Sequence, residues 1–178
     1  ALKGVKAPTL MHIATHGYFL ADTDLQGGDA MGIDAENARN NPLLRSGLIL
    51  AGIQTQNNNT EDLQGNDNGI LTAYEAMNLS LEGTDLIILS ACETGLGDVR
   101  AGEGVYGLQR AFLVAGANAL IMSLWKVDDA ATQQLMTNFY TNWSKTGNKQ
   151  KSFKQAQLQL MAKYKDPYYW GAFVMMGM

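Results

Sequence analysis

What this 178-residue chain has little of narrows it first. It carries one cysteine, at position 92. A single thiol cannot close an intrachain disulfide, so a reducing, cytoplasmic setting is expected. Cations are sparse and scattered: 13 Lys and Arg stand against 17 Asp and Glu, for a net charge of −4. Nucleic-acid binding rests on basic clusters, so no nucleic-acid contact is expected of this segment. The longest apolar stretch, Ala111 to Trp125, is interrupted by Gly116, Asn118 and Ser123. It is too short and too broken to cross a bilayer, and no membrane contact is expected. There are two histidines, His12 and His16. On a helix their spacing would suit a metal pair. Here they lie in an apolar run that reads as a strand, which holds them about 13 Å apart. No metal and no cofactor are expected, and His12 reads as a buried structural histidine. No segment ends in Gly-Lys-Ser/Thr, and no Gly-x-Gly-x-x-Gly directly follows a strand, which counts against nucleotide binding.

What is there is an alternation of strand and helix patterns. Leu86-Ile87-Ile88-Leu89 is a short apolar run that ends at Ser90-Ala91-Cys92-Glu93-Thr94-Gly95. It reads as a buried parallel strand that delivers Cys92 to a sheet edge. Leu10 to Thr15 has the same design and ends in His16-Gly17. Open α/β sheets place their chemistry beyond the carboxyl ends of the strands. A thiol at one strand end and an imidazole at another are the two parts of a cysteine–histidine dyad.

Between these strands, residues 18–41 read as a polar loop, and Leu43 to Ala51 as a short strand in which Gly47 marks a bulge. Gln54 to Asn68 is rich in Asn, Gln, Asp and Gly and reads as a surface excursion. Gly69 to Leu71 reads as a small strand, and Thr72 with Glu75 as a capping box. After Cys92, Gly95 to Gly104 holds four glycines in ten residues. Helix spacing then runs from Val105 to Ala115, with Gly116 suited to the position just past its end. A third strand covers Ala119 to Trp125. Asp128 or Asp129 caps a helix marked by Ala131, Leu135, Phe139 and Trp143. A further helix spans Lys151 to Tyr164, and Tyr168 to Met176 reads as an edge strand. The pattern predicts an α/β fold in one domain, 1–178, with a mostly parallel sheet between helical layers. The first strand would leave an open edge. One or two N-terminal strands are therefore expected to be missing from this segment and supplied by the parent protein or a partner chain.

The segments Leu10 to Gly17, Leu89 to Gly95, Gly102-Glu103-Gly104, Ser123 to Asp129 and Pro167 to Trp170 together resemble CHAT domains. These are relatives of caspases and separases that usually follow tetratricopeptide (TPR) repeats. The resemblance runs through nearly the whole chain in the right order. It implies a caspase-like three-layer fold and cysteine endopeptidase activity on a protein or peptide substrate. By position it implies His16 and Cys92 as the dyad and the amides of Gly17 and Cys92 as the oxyanion hole. It also implies backbone pairing of an extended substrate along Ser123, Leu124, Trp125 and Lys126. Trp125 is either a pocket wall or a core aromatic. Of Asp128 and Asp129, one is an N-cap and the other a candidate for facing a basic substrate side chain. Ser90, two residues before the cysteine, is not an acid. The rival expectation is a non-catalytic interaction module with a degenerate or unassembled site. A small-molecule hydrolase on the same dyad is the third.

Overall fold

The computed structural model describes residues 2–21, 23–27, 33–51, 69–90, 103–126 and 128–177, the side chains of 103–106 excepted. Four strands form the main sheet: β1 (Leu10–Ile13), β5 (Leu86–Leu89), β6 (Ala119–Ser123) and β7 (Phe173–Gly177), in the order β1-β5-β6-β7. β1, β5 and β6 run parallel, and β7 is antiparallel to β6. β5 is buried at every residue, and its side chains alternate between two cores. Ile87 and Leu89 pack with Leu108 and Phe112 of α3 (Glu103–Val114). Leu86 and Ile88 pack with Leu135 and Phe139 of α4 (Asp129–Thr146) and with Phe153 and Leu160 of α5 (Lys149–Lys163). A continuous apolar run with period-two alternation therefore serves two helical layers at once. The result is an α/β sandwich with a mostly parallel central sheet and helices on both faces.

The helix ends follow their capping chemistry. The Asp128 carboxylate accepts from the Ala131 amide at the start of α4, and Gly147 closes that helix at φ +65°. Thr72 and Glu75 form the reciprocal capping box of α2 (Ala73–Ala76).

A second sheet departs from the expected pattern. β2 (His16–Phe19), β3 (Ser46–Ile49) and β4 (Ile70–Thr72) form an antiparallel sheet in the order β2-β3-β4. The first strand does not run to Thr15: β1 stops at Ile13, and His16 opens β2. The supposed loop 18–41 contains the end of β2, a 3-10 turn at Asp24–Gly27 and helix α1 (Ala35–Asn40). Its apolar residues are too irregularly spaced to show a period. Tyr18, Leu20, Leu25, Ile33 and Ala38 nonetheless meet Ile70 in a core of their own. Gly47 makes no bulge, because it stays in register with both Tyr18 and Thr72. A Cβ there would overlap the Leu71 carbonyl and stand 2.8 Å from the Tyr18 ring. The glycine is needed for close strand approach. Near the end of the chain, Pro167 begins α6 (Pro167–Trp170), so the last strand starts only at Phe173. Proline at a first helical position loses no hydrogen bond that the helix would have made.

Candidate active site

β1 and β5 lie side by side in register, from Leu10 against Leu86 to Ile13 against Leu89. The Ser90 amide donates to the Ile13 carbonyl at 2.9 Å, so the two strands end level. In the sequence, His16 comes three residues after Ile13, and Cys92 three residues after Leu89. Cys92 lies outside the described residues, as do most of the glycine-rich loop (through Gly102) and the Gln54 to Asn68 excursion.

His16 is exposed at the first position of β2, opposite Ile49, and Gly17 is buried opposite Leu48. The turn that brings the chain from β1 into β2 is fastened by Thr15, whose hydroxyl donates to the Ile49 carbonyl. His16 is thus held from the side by the second sheet and does not simply extend the first strand.

His12 is not the buried histidine expected from the strand pattern. Met11 is buried on one face of β1, while His12 is exposed on the other. Among the described strands β1 lies at the edge of the sheet, and α4 covers that face only in part. Both ring nitrogens are engaged: Nε2 lies 2.9 Å from Ser90 Oγ, and Nδ1 lies 2.9 Å from Tyr140 Oη. Desolvation lowers the His12 pKa from its ordinary value and raises that of Tyr140. A neutral imidazole has one donor and one acceptor nitrogen. Whichever hydroxyl donates to the ring, the other accepts from it and keeps its own hydrogen for a ligand.

This hydrogen-bonded chain edges a cavity of about 440 Å³ that is also lined by Ala14, Asp129, Thr132 and Met136. Tyr140 and Ser90 are the functional candidates that sequence reasoning passed over. A signal existed in α4. Asp129, Thr132, Gln133, Met136, Thr137 and Tyr140 recur at helical spacing and all line the cavity. They form a second stripe beside the apolar one of Leu135 and Phe139.

The remaining candidates divide by position. Ser123 is buried in β6, in register with Phe173, and the Leu124 amide donates to the Ala172 carbonyl. On that side their backbone is already paired within the fold. Trp125 is half-buried against the α4 and α5 core, and its indole N–H donates to the Tyr168 carbonyl at 3.2 Å. Lys126 is exposed. Asp128 is the N-cap of α4, and Asp129 lines the cavity. Among the described residues, no group of three or more His, Cys, Asp or Glu side chains is placed to hold a metal ion.

The CHAT domain family matches residues 1–178, the whole chain. The chain belongs to the CHAT domain family. CHAT domains are related to caspase-like cysteine peptidases, and the parallel sheet between helical layers is compatible with that fold. Tetratricopeptide repeat protein 28 of Mus musculus is 31% identical to this chain over 110 residues. Its counterpart in Homo sapiens is 30% identical over 110 residues. Each match covers 61% of this CHAT domain and 4% of the relative. The CHAT domain therefore corresponds to a small part of those proteins.

Proposed function

We propose that this CHAT domain is a cysteine endopeptidase that cleaves a protein substrate through Cys92 and His16. The observation that carries the reading is the level ending of the two neighbouring parallel strands from which those residues follow. The Cys92 thiolate attacks the scissile carbonyl carbon, and a C–S bond forms. The Gly17 and Cys92 amides hold the oxyanion, a contribution of roughly 3–4 kcal/mol for such donors. The C–N bond then breaks, and His16 gives its proton to the leaving amine. Water attacks the thioester with His16 as base, which releases the acid and restores the thiol. A reactive lone thiol fits a reducing compartment, and we assign the protein to the cytoplasm. No described helix is long and apolar enough to cross a membrane.

The relatives' names point to a TPR-associated setting, with this segment as one domain of a longer chain. Among the described strands β1 pairs only with β5. Its free side is where a strand of the parent protein or of a partner would add by main-chain pairing.

The test is covalent labelling of the full-length protein by a peptidyl acyloxymethyl ketone, with peptide cleavage measured alongside. Wild type should label at Cys92 and cleave. Cys92→Ala should do neither, and His16→Ala should slow cleavage about 10²–10⁴-fold. Equal cleavage by Cys92→Ala and wild type would refute the assignment. A domain that never labels or cleaves, yet keeps its binding partner in both variants, would be the non-catalytic interaction module.

A further inference from the structure

The few cations of this chain are set apart from its acids. Between Ala130 and Lys165 stand six lysines and no aspartate or glutamate. The other seven cations share the rest of the chain with all 17 acids. Most of those lysines lie on or just beyond α5. One side of that helix is spent on the core, through Ser152, Phe153, Ala156 and Leu160. On the opposite side Lys151, Lys154, Leu158 and Met161 recur at spacings of three and four, and all four are exposed. Leu158 is 50% exposed and Met161 41%, large values for such side chains. Lys149 is paired with Asp85, and Lys163 donates to Gln134. Lys151, Lys154 and Lys165 form no ion pair among the described residues. An apolar pair therefore lies between lysines whose charge the described fold does not meet. An apolar centre with a charged rim is the build of a protein-binding face. The aliphatic stems of the lysines widen it.

We propose that this outer face of α5 docks an acidic amphipathic helix of a partner protein, whether or not the peptidase reading holds. Apolar residues three and four apart on the partner would pack on Leu158 and Met161. Aspartates and glutamates beside them would meet Lys151, Lys154 and Lys165. At 15 residues, α5 offers a face about 22 Å long. So small a contact suits a reversible partner. Charge complementarity favours an acidic protein over the other anionic surfaces. A helix that lies in a membrane surface needs a broad apolar face free for lipid, and the broad apolar face of α5 is already in the core. Phosphate recognition gives no reason to expose a leucine and a methionine between the lysines. The acids gathered in the rest of the chain would also repel both a lipid surface of negative charge and a nucleic acid.

The experiment measures fluorescence anisotropy of labelled peptides with the full-length protein. The probe is a helical peptide of three heptads, with leucine at the first and fourth positions and glutamate beside them. It should bind, and more weakly as salt is added. A peptide of the same composition in scrambled order, and one with lysine in place of glutamate, should bind about tenfold more weakly or not at all. Lys151→Glu with Lys154→Glu should weaken binding about tenfold. Leu158→Ser with Met161→Ser should weaken it about fivefold. Both double variants should keep the melting temperature, because the four side chains are exposed. No binding of the ordered peptide, equal binding of the scrambled one, or binding unchanged in both variants would overturn the proposal. Three further probes carry the other occupants: phosphatidylserine vesicles, oligouridine, and the protein itself in sedimentation. Tighter binding of vesicles or oligouridine than of the peptide, or dimerisation of the protein, would overturn it if abolished by the lysine reversals. The face would then belong to a membrane, an RNA or a second copy.

Discussion

His12 shows how one residue's environment is set by its neighbours. Two hydroxyls, Ser90 and Tyr140, hold an uncharged ring whose pKa is lowered by desolvation. The unfolded chain, with an ordinary pKa of 6.5, binds a proton before the folded one does. Stability linked to His12 is therefore complete above pH 6.5 and falls as the pH drops below it towards the folded value. Replacing His12 with Gln should flatten the acid-side decline in melting temperature between pH 6.5 and 5, as measured by thermal unfolding across that range. An unchanged slope would mean that the ring titrates alike in both states. His12 also illustrates a limit of pattern reading. Period two assigns a side chain to a face, but only the third dimension says how well that face is covered. On β1, at the edge among the described strands, one helix covers it in part.

At the scale of the element, β2 matters because it carries His16 and Gly17, and β3 holds it in place. Gly47 lets β3 approach both neighbours, with no room for a Cβ beside Leu71 and Tyr18. Gly47→Ala should destabilise the domain by about 1–3 kcal/mol or more, read from the urea midpoint. On the proposed peptidase reading it should also weaken peptide cleavage, because the strand bearing His16 shifts. The start of α4 gives a milder case. Asp128 caps the Ala131 amide at 2.8 Å, and Asp128→Ala should cost about 1 kcal/mol in the same assay. The caps and the long helices were legible, since Asp128, Thr72 and Gly147 act within a turn of the chain. Strands β3 and β4 were legible as short apolar runs, but β2 and the antiparallel pairing of the three were not. The three strands are three or four residues long, and their partners lie far apart in sequence.

At the scale of the whole molecule, the two helical layers are joined through the fully buried β5. Phe139 sits in the α4–α5 layer and contacts Tyr140, Trp143 and Phe153 through its ring. Phe139→Ala should cost about 3–5 kcal/mol in chemical denaturation. It should loosen Tyr140 and hence the cavity beside it. A small loss with Tyr140 undisturbed would mean that the layer repacks around the gap. The α/β class and the three parallel strands were readable from the apolar runs at Leu10, Leu86 and Ala119, while their order in the sheet came from the structure. The division of the core into three clusters was not readable either, because residues such as Leu25 and Ile70 gain their partners only when distant segments meet.

The amino-acid sequence alone determined the strand–helix alternation, the family, and a thiol and an imidazole each placed just past an apolar strand. Local propensity and period act over a few residues, and they are written directly in the chain. Only the tertiary structure decided that His16 belongs to a second sheet, that His12 is tied to Ser90 and Tyr140, and that Asp129 faces a cavity while Asp128 caps a helix. Those are relations between segments up to 128 residues apart. They depend on how layers stack and which faces they leave uncovered, which no local pattern encodes.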